Sequence, residues 1–408
     1  MNNLICIIKK NRVSLQQIFK VSSMKAILNP FVVMGKIPPE FFCDREKETL
    51  RMTQEISGQA ANILLLSQRR IGKTALITHC FDQESIKEHF YTFYFDILHT
   101  SSFQEFVYEF GKQVFETLMP RGQKVLTTLL QTIKSIHPKF GIDPLSGLPT
   151  MALELGEITA PEYTLTEIFE YLEHADKPCI VAIDEFQRIA RYPEKNIEAI
   201  LRGKIQHLRN THFIFAGSER HILAEMFGAY NRPFYHSTMN MYLEQIDVTK
   251  YSVFATGLFE QYGKHVEEET IAKLYAFFDG NTFCLQKILH LAFAETPEGS
   301  ACTLERINHV LDEVLADNEH TYRENLSRMP SKQKAVLYAI AIDGIARQLT
   351  GTDFITRHSL GSASSVQAAL RVLLENDWIT MQNKEYRISD LFFAIWLKRI
   401  SGYPAIIE

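Results

Sequence analysis

Residues 67–74 read Ser-Gln-Arg-Arg-Ile-Gly-Lys-Thr, and their types and order suit the binding of a phosphate chain. A loop of this kind turns backbone N–H groups inward, and the positive end of a following helix adds to them. Gly72 lets the backbone pass close to phosphate, Lys73 brings a mobile charge to the β- and γ-phosphates, and Thr74 offers a hydroxyl to Mg²⁺. Ser67, Gln68, Arg69, Arg70, Ile71 and Ala75 are expected to complete the lining of the nucleotide. The usual pattern begins with Gly where this chain has Ser67, so the strict motif is not met. A Ser tolerates that turn only if its φ stays negative or the strain is absorbed elsewhere. The loop should therefore bind nucleotide and turn it over slowly. Taken alone, the stretch also reads as an ordinary strand-to-helix turn that contains Gly-Lys-Thr.

A second pair of reactive side chains, Asp184 and Glu185, follows the apolar run Cys179-Ile180-Val181-Ala182-Ile183. Two adjacent carboxylates at the end of a buried strand are costly unless they have work there. Asp184 would hold Mg²⁺, commonly through water, and Glu185 would orient and deprotonate the attacking water. A third run, Phe213-Ile214-Phe215-Ala216-Gly217, ends in Ser218-Glu219-Arg220. In nucleotidases with an extra strand between the phosphate-loop strand and the acidic strand, that strand's tip carries a polar residue. Ser218 fits this place and would sense the γ-phosphate or the attacking water, with Arg220 a weaker candidate. Ser218 also reads as the N-cap of a helix from His221 onward, and the two roles are compatible. Arg45 could reach phosphate or brace the loop. Its neighbour Asp44 reads as the N-cap of a helix running to about Ile56. Arg232 reads as a surface-loop residue, or as a cation facing phosphate of the same or a neighbouring molecule.

These side chains need a scaffold. Ile63-Leu64-Leu65-Leu66 enters the phosphate loop as a strand, and Ala75-Leu76-Ile77 continues it as a helix. Strands without polar interruption are buried on both faces, as in a parallel sheet. Residues 90–96, rich in aromatics, read as a further strand, and 242–246 as a fifth. Residues 102–118 show helical spacing of Phe103, Phe106, Val107, Phe110 and Val114, a core stripe rather than a cofactor site. Residues 136–156, with Pro138, Gly141, Pro144, Gly147 and Pro149, suggest an irregular or hairpin insertion. The expected fold class is α/β: a doubly wound P-loop core over 28–245, a helical lid over 246–329 and a winged helix over 330–408. The last rests on helices at 332–342, 352–358 and 364–375 and a hairpin turning at Gln382-Asn383-Lys384. Residues 1–27 read as a leader rather than a signal peptide, because the short apolar run precedes Lys9, Lys10 and Arg12; Met24, just before Asn29-Pro30-Phe31, makes 1–23 either loose or a product of start-codon choice.

The winged helix does not read as a strong DNA binder. Its would-be recognition helix has Arg371 as its only basic residue, and residues 331–408 hold nine Lys and Arg against seven Asp and Glu. A duplex reader needs several phosphate contacts, so the module is expected to serve packing and interaction, with DNA the weaker alternative. The chain as a whole agrees: net charge is −5 and pI about 6.3. Six scattered cysteines without a C-x-x-C pair suit reduced thiols in a cytoplasmic protein. No apolar stretch approaches the ~18–20 residues that span a bilayer.

Ser-Gln-Arg-Arg-Ile-Gly-Lys-Thr, Ile-Asp-Glu-Phe-Gln and Phe-Ala-Gly-Ser-Glu-Arg, in this order, resemble the archaeal-type ATPases of the STAND group, signal-transduction ATPases related to AAA+ proteins. Asp44-Arg45-Glu46 is similar to the group's Arg-Glu box, and Asp279-Gly280-Asn281-Thr282-Phe283 to its lid turn, with Thr282 where Pro is usual. The resemblance covers about residues 28–400. It implies ATP with Mg²⁺, adenine over guanine, an unknown protein partner, self-association as an option, and a switch rather than a metabolic enzyme. The rivals are a DNA-binding AAA+ loader, whose lid arginine after Gly280-Asn281 is missing here, and a regulator that binds nucleotide with little hydrolysis. Lys73→Ala is expected to lose ATP affinity while keeping the fold's stability.

Overall fold

The computed structural model describes residues 29–58, 62–118, 128, 131–132, 136–142, 149–155, 158 and 160–408, with the backbone alone over 136–155. The expected leader, 1–27, lies outside the described residues. Five parallel strands form the central sheet: β1 (Asn62–Ser67), β2 (Tyr91–Asp96), β5 (Cys179–Asp184), β6 (Thr211–Gly217) and β7 (Thr238–Leu243). Their spatial order is β2-β5-β6-β1-β7, so β6 does lie between the phosphate-loop strand and the acidic strand. Parallel neighbours require crossovers, and helices supply them on both faces. These include α2 (Lys73–Asp82), α4 (Phe103–Leu118), α5 (Pro161–Glu173) and α6 (Ile197–Ile205), after α1 (Glu46–Ser57) and the short α3 (Glu84–Lys87).

Alternation along the strands divides the apolar side chains between two cores. Leu64, Leu66, Val181, Ile183, Phe213 and Phe215 face one, whereas Ile63, Leu65, Ile180, Ala182, Ile214 and Ala216 face the other. Each of the Leu, Ile, Val and Phe side chains contributes roughly 1.5–3 kcal/mol when fully buried, which favours the unbroken apolar runs 63–66, 179–183 and 213–216. The edge strand β7 is covered on one face only, with Met241 and Leu243 buried and Tyr242 exposed. It begins and ends earlier than the expected 242–246 because its apolar residues alternate rather than run together. The turn-rich stretch forms an antiparallel hairpin, β3 (Ile136–Ile142) with β4 (Pro149–Leu155).

Two expected caps are not used. The N-cap of α1 is Arg45, left-handed at φ 76°, and the Asp44 carboxylate instead accepts from Lys250 at 2.5 Å. Helix α7 (Arg220–Gly228) begins after Glu219, without a side-chain cap, which leaves the Ser218 hydroxyl free for another partner.

The lid consists of α8 (Val248–Gln261), α9 (Glu268–Phe277), α10 (Thr282–Glu295) and the long α11 (Leu304–Ser327), with a two-residue ladder of β8 (His265–Val266) on β9 (Ala301–Cys302). The winged helix has α12 (Ser331–Asp343), β10 (Ala346–Arg347), α13 (Thr352–Arg357), α14 (Ala363–Glu375), β11 (Ile379–Gln382), β12 (Glu385–Ile388) and a further helix, α15 (Leu391–Ile400), absent from the sequence expectation. Asp390 starts α15 by accepting from the Phe392 and Phe393 amides. Lid and winged helix share one apolar body. Phe278 meets Phe392 at 5.4 Å and Tyr322 meets Phe393 at 5.1 Å between ring centres. The N-terminal Phe31 plugs into the same body against Phe259 and Phe293. Among the described residues, no helix is long and apolar enough to cross a membrane.

Candidate active site

The C-terminal ends of β1, β5 and β6 meet at one edge of the sheet, the usual ligand-binding edge of an open parallel sheet. Strand β1 stops at Ser67, and α2 begins at Lys73 with Gly72 as its N-cap. Two left-handed residues shape the loop, Arg70 at φ 65° and Gly72 at φ 92°. A Cβ on Gly72 would meet nothing within 4 Å, so glycine is demanded by the backbone angle rather than by space. Ser67 is not among the positive-φ residues, so the loop accepts it without backbone strain. Its buried hydroxyl has no hydrogen-bond partner, a cost of roughly 1–3 kcal/mol.

The reactive side chains converge. The Lys73 ammonium, 8% exposed, lies 2.5 Å from Asp184 Oδ1 and 3.2 Å from Glu185 Oε1. Thr74 donates to Asp184 Oδ2 at 3.0 Å, and the Tyr94 phenol donates to the same oxygen at 2.8 Å. Ser218 donates to Glu185 Oε2 at 2.9 Å, and the Gln187 amide donates to that oxygen at 2.5 Å. Burial alone would push the Asp184 carboxyl up. The Lys73 charge, with hydrogen bonds from Lys73, Tyr94 and the Glu185 amide, holds it below the ordinary carboxylate value. Nearby Asp96 is raised, first by burial and then by the charges of Asp184 and Glu185. Burial and the Asp184 charge likewise keep the Tyr94 phenol protonated.

Thr74 and Asp184 present hard oxygen donors side by side, with Thr74 exposed, an arrangement that fits a cation retaining much of its water shell. The residues present therefore suit Mg²⁺.

Lid and winged helix both reach the phosphate loop. The Arg70 carbonyl accepts from the Phe283 amide at 3.2 Å and from the Thr282 hydroxyl at 2.8 Å, so Thr282 supplies a contact that proline could not. The Arg70 guanidinium sits 4.7 Å above the Phe283 ring and 3.9 Å from Asp390. Arg69 lies 3.9 Å from Asp377, and Gln68 donates to Gln382 on the wing at 2.8 Å. Arg387 of the wing pairs with Asp279 of the lid turn.

Ile71 lies buried beneath the loop, and Ala75 occupies the first turn of α2. Arg45 does not point into the site: it is buried and donates to Glu48 and to the Glu244 carbonyl, bracing the strand end. Arg220 pairs with Glu244 at 3.4 Å over the Tyr242 ring, and Arg232 pairs with Glu198 at 2.9 Å. Neither of these two is directed at the convergence of Lys73, Asp184 and Glu185. Tyr94 and Gln187 were not candidates from sequence. Tyr94 looked like one more core aromatic, and only strand alternation, with Phe93 and Phe95 buried and Tyr94 partly exposed, separates it from them.

Residues 42–288, more than half of the chain, match the family described as an ATPase domain predominantly from Archaea, and residues 320–399 match a probable winged helix domain. No curated protein matches the sequence. Among solved structures, the Walker-type ATPase of Pyrococcus abyssi is similar with a TM-score of 0.61 at 20% identity, over 90% of this chain and 99% of that one. The Aeropyrum pernix ORC2 protein, in its ADPNP–ADP complexes, is similar with a TM-score of 0.57 at 12% identity, over 92% and 96%. At these identities the likeness concerns the fold. With a phosphate loop, an acidic strand end and a polar strand tip on one sheet edge, the chain belongs to the ATPase domain family found predominantly in Archaea, here joined to a C-terminal winged helix.

Proposed function

We propose that this chain is a slow, Mg²⁺-dependent ATP hydrolase that works as a STAND-type switch. The observation that carries this is the convergence of Lys73, Thr74, Asp184, Glu185 and Ser218 within hydrogen-bond distance. Lys73 pairs with both acids and offsets one of their two charges. A bound triphosphate would draw the ammonium to its β- and γ-oxygens and release Glu185 Oε1. That oxygen would accept a proton as the water oxygen bonds to the γ-phosphorus and the bond to the bridging oxygen breaks, yielding ADP and phosphate. Mg²⁺, held by Thr74 and Asp184, would supply neutralisation of the developing phosphate charge. Ser218 would report the state of Glu185 to β6 and α7.

The switch reading is supported by the contacts of Thr282, Phe283, Asp377, Gln382 and Asp390 with the loop residues Gln68, Arg69 and Arg70. We assign the core to 28–245, the lid to 246–329 and the winged helix to 330–408, with lid and winged helix moving together on their shared apolar body. A protein partner, rather than DNA, would read the change. Helix α14 offers Arg371 alone as a cation, with Glu375 3.8 Å from it, and the wing's Gln382 faces the phosphate loop.

Phosphate release by wild type and Glu185→Gln tests the proposal. Wild-type turnover should exceed the variant's by about 10²–10⁴-fold at unchanged ATP affinity. Equal rates with intact ATP binding would leave a nucleotide-binding regulator instead.

A further inference from the structure

We infer that Gln187 is a positioning residue for hydrolysis, holding one oxygen of Glu185 so that the other is left for the attacking water. The inference rests on the role given to Glu185 above. Glu185 Oε2 accepts from Gln187 Nε2 at 2.5 Å, from Ser218 Oγ at 2.9 Å and from the Ser218 amide at 3.4 Å, while Oε1, among the described residues, faces Lys73 at 3.2 Å. When the ammonium moves to phosphate, a carboxylate tethered at one oxygen cannot swing away, and the free oxygen keeps its direction.

The local chain is built to keep Gln187 there. Glu185 is left-handed at φ 56° and starts a 3₁₀ turn, Phe186–Arg191, which brings the Gln187 side chain back onto its neighbour two residues before. Phe186 pins that turn, fully buried against Phe215 at 4.5 Å and Phe234 at 5.5 Å. Arg188 fastens the next position by donating to the Thr100 carbonyl at 3.1 Å. Gln187 is 1% exposed, and its Oε1 has no hydrogen-bond partner. A buried amide that leaves an acceptor unpaired is poor packing, and a hydrocarbon would suit a purely structural position better.

Gly217 makes the room. A Cβ at that position would lie 2.0 Å from Gln187 Oε1 and 2.9 Å from a Leu223 methyl. The glycine ending β6 thus answers to the side chain that ends on Glu185. The pair links the acidic strand to the strand whose tip carries Ser218.

The test uses the full chain with Gln187→Met, similar in length and without a donor. Phosphate release is measured against ATP concentration, together with ATP affinity and thermal unfolding. The expected result is a kcat lowered about 10- to 100-fold, with KM, ATP affinity and melting temperature close to wild type. In a Glu185→Gln background the same substitution should add nothing, since no carboxylate remains to be oriented. Gly217→Ala should reproduce the kcat loss by displacing the amide. A Gln187→Met enzyme with wild-type kcat, beside an inactive Glu185→Gln enzyme, overturns the inference and leaves the role of Glu185 standing. An equal kcat loss from Gln187→Met in the Glu185→Gln background also overturns it. If wild type is no faster than Glu185→Gln, the role of Glu185 falls first and the inference with it.

Discussion

Lys73 is a structural counter-ion as well as the proposed phosphate ligand. Its side chain and that of Asp184 are buried at 2.5 Å separation, and Glu185 adds a second acid. The expectation that Lys73→Ala would spare stability is therefore revised. The variant leaves Asp184 buried without its cation, which typically costs about 3–5 kcal/mol. Nucleotide-free Lys73→Ala should melt well below wild type at neutral pH, and adding Asp184→Asn should restore much of the loss. The pH dependence has a definite sign. Pairing holds the Asp184 carboxyl below its ordinary value, so the stability it contributes is present above that ordinary value and is lost as pH falls through the folded one. In Lys73→Ala burial dominates, so its deficit against wild type should narrow on acidification, and melting curves at stepped pH would check this. Tyr94 donates to the same carboxylate, a support that usually changes metal affinity about 10- to 100-fold. Tyr94→Phe should accordingly raise the Mg²⁺ needed for half-maximal phosphate release, with maximal rate at saturating Mg²⁺ far less affected.

Among the elements, β6 carries the molecule's internal wiring. It lies between β5 and β1, presents Ser218 at its tip, and makes room for Gln187 at Gly217. It also buries His212, whose Nε2 has no partner and whose protonation burial disfavours. A histidine with a lowered folded value costs stability as pH falls below its unfolded value near 6.5, because the unfolded chain then binds the proton more readily. Unfolding free energy should thus decline between pH 7.5 and 5.5, with a slope of up to about 1.4 kcal/mol per pH unit from this group, read by denaturant titration at stepped pH. His212→Phe should flatten that slope, and an unchanged slope would exclude this source. The strands were legible because an unbroken apolar run has few other uses. The cap of α1 was not: Asp44 has the right type, but Lys250, far along the chain, takes its carboxylate.

At the scale of the whole molecule, lid and winged helix share one apolar core, apart from the two cores of the central sheet. Apolar packing runs from Phe31 through α11 into α15, whereas polar and charged pairs join this body to the phosphate loop. Exposed pairs of that kind are worth about 0–1 kcal/mol each, so in the proposed switch they would favour the docked arrangement only modestly and phosphate contacts would shift it. Asp377→Lys combined with Gln382→Ala removes two of the polar ties, to Arg69 and to Gln68, without touching the apolar body. Small-angle scattering of the nucleotide-free double variant should give a larger radius of gyration than wild type, with helix content unchanged. Equal radii would mean that the polar ties do not hold the winged helix in place.

Local chemistry alone determined the phosphate loop, the acidic strand end, the polar strand tip and the winged helix, because each is written in consecutive residues with a fixed period. Only the tertiary structure decided which oxygen of Glu185 is held, that Arg45 braces β7 rather than facing the site, and that the wing rests on the loop. Those outcomes depend on side chains brought together from distant segments, and the direction of a hydrogen bond between them has no signature in residue spacing.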